Sequence, residues 1–118
     1  MKSYTDIEQS RKLTEILPPE SADMYYYSYM SIGEPFYMSY PNVIEDRQRL
    51  AKNDIPCWSL TALLGVISDF PALTQEDVNE WMVCVPNCNN DEYIEITAIN
   101  PVDACYEMII KLHELNLL

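Results

Sequence analysis

At 118 residues, with 48% hydrophobic and 22% charged side chains, the chain has the length of one domain and an ordinary globular composition, which excludes wholesale disorder. Its formal net charge of −12 opposes phosphate backbones and anionic bilayers, so direct nucleic-acid binding is disfavoured. No apolar run approaches the eighteen or so residues of a membrane-spanning helix.

The charge is unevenly placed. From Asn53 to Ile110 there is no Lys or Arg, and the span carries Asp54, Asp69, Glu76, Asp77, Glu80, Asp91, Glu92, Glu95, Asp103 and Glu107. The basic residues lie mainly in the first half, where Arg47, Arg49 and Lys52 form a small cluster. Met1-Lys2-Ser3 leads into a polar, helix-like pattern with no apolar signal core. With four cysteines read as reduced thiols, this places the chain in the cytoplasm.

Thr5-Asp6-Ile7-Glu8 is a capping-box pattern, with Thr5 as the cap and Glu8 reaching back. It predicts a first helix from Asp6 to Leu17, ended by Pro18-Pro19. Met24 to Met30 and Pro35 to Tyr40 are rich in β-formers, and Ser31 to Glu34 supplies a turn, so a hairpin is expected. Tyr25, Tyr27 and Tyr29 share one face of its first strand; Met24, Tyr26 and Met30 share the other. Pro41 to Asp54 gives no clear pattern. Ser59 caps a second helix to Ile67, whose stripe of Leu60, Leu63, Leu64 and Ile67 marks it as the most buried one. Ser68 to Gln75 reads as a loop.

Glu80 to Val85 and Glu92 to Ile99 are strands joined by the turn residues of Pro86 to Asp91. Ile94, Ile96 and Ala98 alternate with Tyr93, Glu95 and Thr97. Asn100 and Pro101 open the last helix, running to Leu115. Val102, Cys105, Met108, Ile109, Leu112 and Leu115 form its apolar stripe, which is expected to dock on the second hairpin. The order helix–hairpin–helix–hairpin–helix predicts an α+β fold over residues 1–118: one domain, with a four-stranded antiparallel sheet and helices packed on one face.

Chemistry-bearing patterns are few. Cys57, Cys84, Cys88 and Cys105 lack the paired knuckles of a zinc ribbon and fit apolar packing. Asn87, Asn89 and Asp91 alternate like a calcium loop, but Glu92 and Ala98 stand where that loop needs Gly and Glu. His113 is the only histidine, and pairing with Cys57 or Cys105 is the one nucleophile–base arrangement available. It lies near a helix C-terminus, off the apolar stripe, where a cation simply offsets the helix dipole. No catalytic, cofactor or metal site is expected. The nine tyrosines are the conspicuous feature, because both faces of the first hairpin carry aromatics. Tyrosine offers large contact area at low entropic cost, which makes Tyr25, Tyr27, Tyr29 and Tyr37 the candidate interaction surface.

Three stretches, YTDIEQSRKLTEILPPESADMYY (Tyr4 to Tyr26), IPCWSLTALLGVI (Ile55 to Ile67) and NPVDACYEMIIKLHELNLL (Asn100 to Leu118), carry a resemblance. The chain resembles small uncharacterised proteins encoded by bacteriophages and integrated mobile elements of gut bacteria. That resemblance covers about half the chain and implies an intracellular accessory protein, with no chemistry attached. The function expected is non-catalytic binding of another protein, or self-association. The alternative is an acidic DNA-mimic or anti-defence inhibitor that occupies a host protein's nucleic-acid groove.

Overall fold

The computed structural model describes residues 1–26, 34–37, 54–67 and 71–118. The chain divides into two compact units, Tyr4–Ala62 and Met1–Ser3 with Leu63–Leu118.

In the first unit, helix α1 (Ile7–Thr14) precedes strands β1 (Met24–Tyr26), β2 (Phe36–Tyr37) and β3 (Ile55–Cys57). The strands form an antiparallel sheet in the order β2-β1-β3, with Tyr25 opposite Phe36 on one side and Pro56 on the other. The cap of α1 is Asp6 rather than Thr5: Gln9 N donates to Asp6 Oδ1 at 2.8 Å and Asp6 N to Gln9 Oε1 at 3.1 Å. The reciprocal box is therefore shifted by one residue, because the Thr5 side chain is fully buried and bonded elsewhere. The helix stops at Thr14, where the chain tightens and the Leu13 carbonyl accepts from both Ile16 and Leu17 ahead of the Pro pair. Helix α1 packs against β3. On β1, Met24 and Tyr26 are buried with Cys57, and Tyr4, Ile7 and Ile55 pack around them.

Helix α2 (Leu60–Val66) carries the chain from the first unit into the second. Ser59 caps it, accepting from Ala62 N at 3.2 Å. Only Leu63 is buried within it, so the most buried helix is the last one instead. Seven residues are too few to wrap an apolar stripe around a core.

The second unit is a meander of β4 (Ala72–Asp77), β5 (Glu80–Pro86) and β6 (Tyr93–Ala98), followed by helix α3 (Pro101–Glu114). Val83 and Val85 are buried on the central strand, and α3 packs against β5 and β6. The buried face of α3 is Val102, Ala104, Cys105, Met108, Ile109 and Leu112 with Pro101; Leu115 falls beyond its end and is exposed. Asn100 Oδ1 accepts from Asp103 N at 2.8 Å, and Asn100 Nδ2 donates to Asp103 Oδ2 at 2.9 Å. Lys2 Nζ adds an ion pair to Asp103 Oδ1 at 2.8 Å, fixing residues 1–3 to the head of this helix. At the other end Asn116, at φ 57°, reverses the chain so that its own N–H reaches His113 O and Leu117 N reaches Leu112 O. That is the paired bond pattern of a Schellman close, with Asn in the left-handed position that glycine usually fills.

The α+β class holds, but the single four-stranded sheet and the helix–hairpin–helix–hairpin–helix order do not. Two segments that the sequence pattern did not mark as strands, Ile55–Cys57 and Ala72–Asp77 (the latter overlapping the expected Ser68–Gln75 loop), are strands, and each adds a third strand to its sheet. Ile55–Cys57 is three residues long and contains a proline, which an edge strand tolerates. Ala72–Asp77 (ALTQED) shows no apolar alternation, because Leu73 is its only large apolar side chain. Among the described residues no helix is long and apolar enough to cross a membrane.

Candidate functional site

A buried polar node lies at the centre of the first unit. Thr5 Oγ1 lies 2.8 Å from Ser10 Oγ and 3.6 Å from Cys57 Sγ, and accepts from Trp58 N at 3.1 Å. The Thr5 carbonyl accepts from the Tyr26 hydroxyl at 2.7 Å and from Cys57 Sγ at 3.4 Å, while Thr5 N donates to Trp58 O at 2.9 Å. One residue thus ties the entry of α1 to β1 and β3. Beside it, Trp58 Nε1 donates to Ser21 Oγ at 2.9 Å. Ser59 donates to Asp23 from both its amide and its hydroxyl.

The node holds a thiol, a phenol and the hydroxyls of Thr5 and Ser10, groups that could in principle make a reaction centre. Burial pushes the Cys57 thiol up, against the opposing hydrogen bonds of Thr5, Ser10 and Tyr26. Burial, reinforced by Cys57, also raises the Tyr26 phenol. A nucleophile needs the reverse, a lowered pKa or an adjacent base. The Ser59 hydroxyl is committed twice, donating to Asp23 and accepting from Ala62 N. These groups hold the fold together.

The other sequence candidates are dispersed. Cys105 is fully buried and its thiol is pushed up to about 12, whereas His113 is exposed, so they form no pair. Cys84 is half-buried on the face of β5 opposite Val83 and Val85, in register with Glu95, and Cys88 is exposed in the following turn. Among the described residues no three His, Cys, Asp or Glu side chains converge on a metal-sized site. In the Asn-rich turn, Asn87 Oδ1 accepts from Asn89 N at 3.0 Å and Asn90 Oδ1 from Glu92 N at 2.9 Å. Asn87 and Asn90 are thus turned onto their own backbone, as turn chemistry requires.

The tyrosine strand divides by face. Tyr26 points inward, whereas Tyr25 lies on the outer face with its ring centroid 6.0 Å from that of Phe36, tilted by 31°. Phe36 is 42% exposed. Register adds Pro56 on the far side of Tyr25, so Phe36, Tyr25 and Pro56 form one apolar row across the sheet. Tyr37 pairs with Met24 in the ladder, and Tyr27 and Tyr29 lie outside the described residues. Pro56 carried no sequence signal as a surface residue; only the register of β3 brings it to Tyr25. Phe36 was visible in the PFYMSY segment but not as the partner of Tyr25.

No family model, curated protein or solved structure matches the chain. The functional reading therefore rests on the side chains themselves. Besides the aromatic row they offer one charged surface: Glu76, Asp77, Glu80, Asp91, Glu92 and Glu95 are all exposed on the second sheet and its turns. No Lys or Arg lies on that sheet or its turns.

Proposed function

We propose that the protein acts by binding another protein, without catalysis, through the Phe36–Tyr25–Pro56 row of its first sheet. The observation that carries this reading is the division of β1: Met24 and Tyr26 complete a core, while Tyr25 stacks on a partly exposed Phe36 on the opposite face. A rigid aromatic pair on a short sheet is the kind of anchor that dominates recognition surfaces. The nucleophilic side chains of the node, by contrast, are occupied in holding the fold. In the cytoplasmic, mobile-element context that the sequence resemblance implies, the partner is a host or element protein, or a second copy. The test is Tyr25→Ala with Phe36→Ala, followed by affinity capture from host extract and by sedimentation velocity. Loss of a captured partner or of an oligomer, with the circular dichroism spectrum retained, is expected. An unchanged partner set and an unchanged oligomeric state remove this surface from consideration.

A second reading, the acidic inhibitor of a nucleic-acid-binding protein, is favoured by the six exposed carboxylates of the second sheet. Charge-driven binding of that kind weakens steeply with salt. Affinity for such a partner that stays flat from low to high salt rejects it.

A further inference from the structure

Sheets end in edges, and an edge is a ready template for another strand unless something blunts it. Among the described residues the two sheets have four edges, and two of them are visibly blunted. Strand β3 is three residues long with Pro56 in its middle, and β4 loses register between Gln75 and Asp77; β2 (Phe36–Tyr37) borders residues outside the described ones. Strand β6 has none of these devices. Tyr93–Ala98 stays in unbroken register with β5 over six residues and contains no Pro, Gly or Lys. Among the described residues, no backbone group beyond the sheet bonds to it.

Burial across the rows shows what this edge lacks. Ile94 lies opposite Val85 and Ile96 opposite Val83; both valines are buried, but both isoleucines are only half-buried. An added strand with apolar residues on the helix side would cover them. On the other side Tyr93, at 68% exposure, and Thr97 flank Glu95 in one exposed row. Asp91 and Glu92 stand just ahead of that row, and the sequence has no Lys or Arg from Asn53 to Ile110. An occupant must therefore bring its own cations to this row. A second β6 would bring carboxylates instead, and like charges facing one another across a ladder repel.

We infer that the outer edge of β6 takes up an extended segment of another protein in which apolar and basic side chains alternate. Main-chain hydrogen bonds supply the attachment and the two faces supply the selectivity. The inference stands apart from the Tyr25–Phe36 reading, because it uses a different sheet and none of those residues.

The probe is a capped octapeptide of alternating Lys and Val, with an alternating Glu and Val peptide as its counterpart, added to the full chain. Amide hydrogen exchange resolved by NMR is the readout, since a polycation adhering loosely to an acidic protein leaves the β6 backbone unprotected. Slowed exchange confined to Tyr93–Ala98 with the Lys peptide, and none with the Glu peptide, is expected. Glu95→Lys, at an exposed position, should weaken the Lys peptide on the order of tenfold and admit the Glu peptide, as reversal of a directly facing pair predicts. Binding without protection of β6, equal protection by both peptides, or indifference to Glu95→Lys overturns the inference. Concentration-dependent protection of β6 with no peptide present also overturns it, by making a second copy the occupant.

Discussion

Thr5→Val tests the central claim about the first unit, because it removes one oxygen and keeps the side-chain shape. Valine fills the same fully buried space, so no cavity opens. What is lost is the acceptor for Trp58 N, at 3.1 Å, and a partner of Ser10 Oγ, at 2.8 Å. The Trp58 amide then lies unsatisfied, at a cost of roughly 1–3 kcal/mol, while Ser10 keeps its hydrogen bond with the Cys57 thiol. That is a sizeable share of the roughly 5–15 kcal/mol by which a typical domain is stable. Ser10→Ala leaves Thr5 Oγ1 still bonded to the Trp58 amide and should cost about 1 kcal/mol. The double variant should cost less than the sum, because both substitutions remove the same Thr5–Ser10 hydrogen bond. Urea unfolding followed by Trp58 fluorescence in a Trp81→Phe background measures each value. Thr14→Val, at an exposed helix end, is the control. If Thr5→Val falls within about 0.5 kcal/mol of the parent at an unchanged m-value, the node is not what holds these elements together.

Three further outcomes follow from local geometry. Gly65 sits in α2 at an exposed position with nothing within 4 Å of an added Cβ, so Gly65→Ala should stabilise by about 0.5–1 kcal/mol in the same urea titration. Lys2→Met breaks the ion pair to Asp103 but leaves the Asn100 cap, and should cost about 1 kcal/mol or less, with the loss shrinking as salt is added. Burial holds the thiols of Cys57 and Cys105 and the phenol of Tyr26 above their ordinary values, so the folded state keeps protons that the unfolded chain releases. Stability is then complete below the ordinary thiol value of 9.0 and falls as pH rises towards the raised values, about 12 for Cys105. Each such group adds a slope of about 1.4 kcal/mol per pH unit, and Cys105→Ala should remove one of those slopes from the alkaline unfolding curve.

How legible each element was depends on where its information lies. Helix α3 was legible except at its end, where Leu115 leaves the stripe: Asn100 and Pro101 at its head, and the stripe from Val102 to Leu112, are all local signals. The β5–β6 hairpin was legible because one face is closed by α3 and the other open, which leaves Ile94 and Ile96 alternating with Glu95 and Thr97. Strand β4 was not, since ALTQED pairs through its backbone and Leu73, beside Val83, is the one apolar side chain it places on the closed face. The cap of α1 slipped by one residue because Thr5-Asp6-Ile7-Glu8 and Asp6-Ile7-Glu8-Gln9 are both acceptable capping boxes. Burial of the Thr5 hydroxyl against Trp58, fifty-three positions away, decides between them, and no local pattern carries that.

The same distance effect explains the tyrosines. Met24-Tyr25-Tyr26 gives a strand two aromatic neighbours and no means within the segment of choosing which goes inside. The choice falls to hydrogen bonding. A buried phenol must find an acceptor, and the inward position offers one, the Thr5 carbonyl at 2.7 Å. Once Tyr26 is committed to that bond, strand alternation turns Tyr25 outward, where register places Phe36 and Pro56 beside it. The outer row is thus a consequence of the inner bond. This also separates the two tyrosines experimentally: Tyr26→Phe leaves the packing but removes the hydroxyl, so its effect belongs to stability. Truncating Tyr25 leaves the node untouched, so its effect belongs to binding.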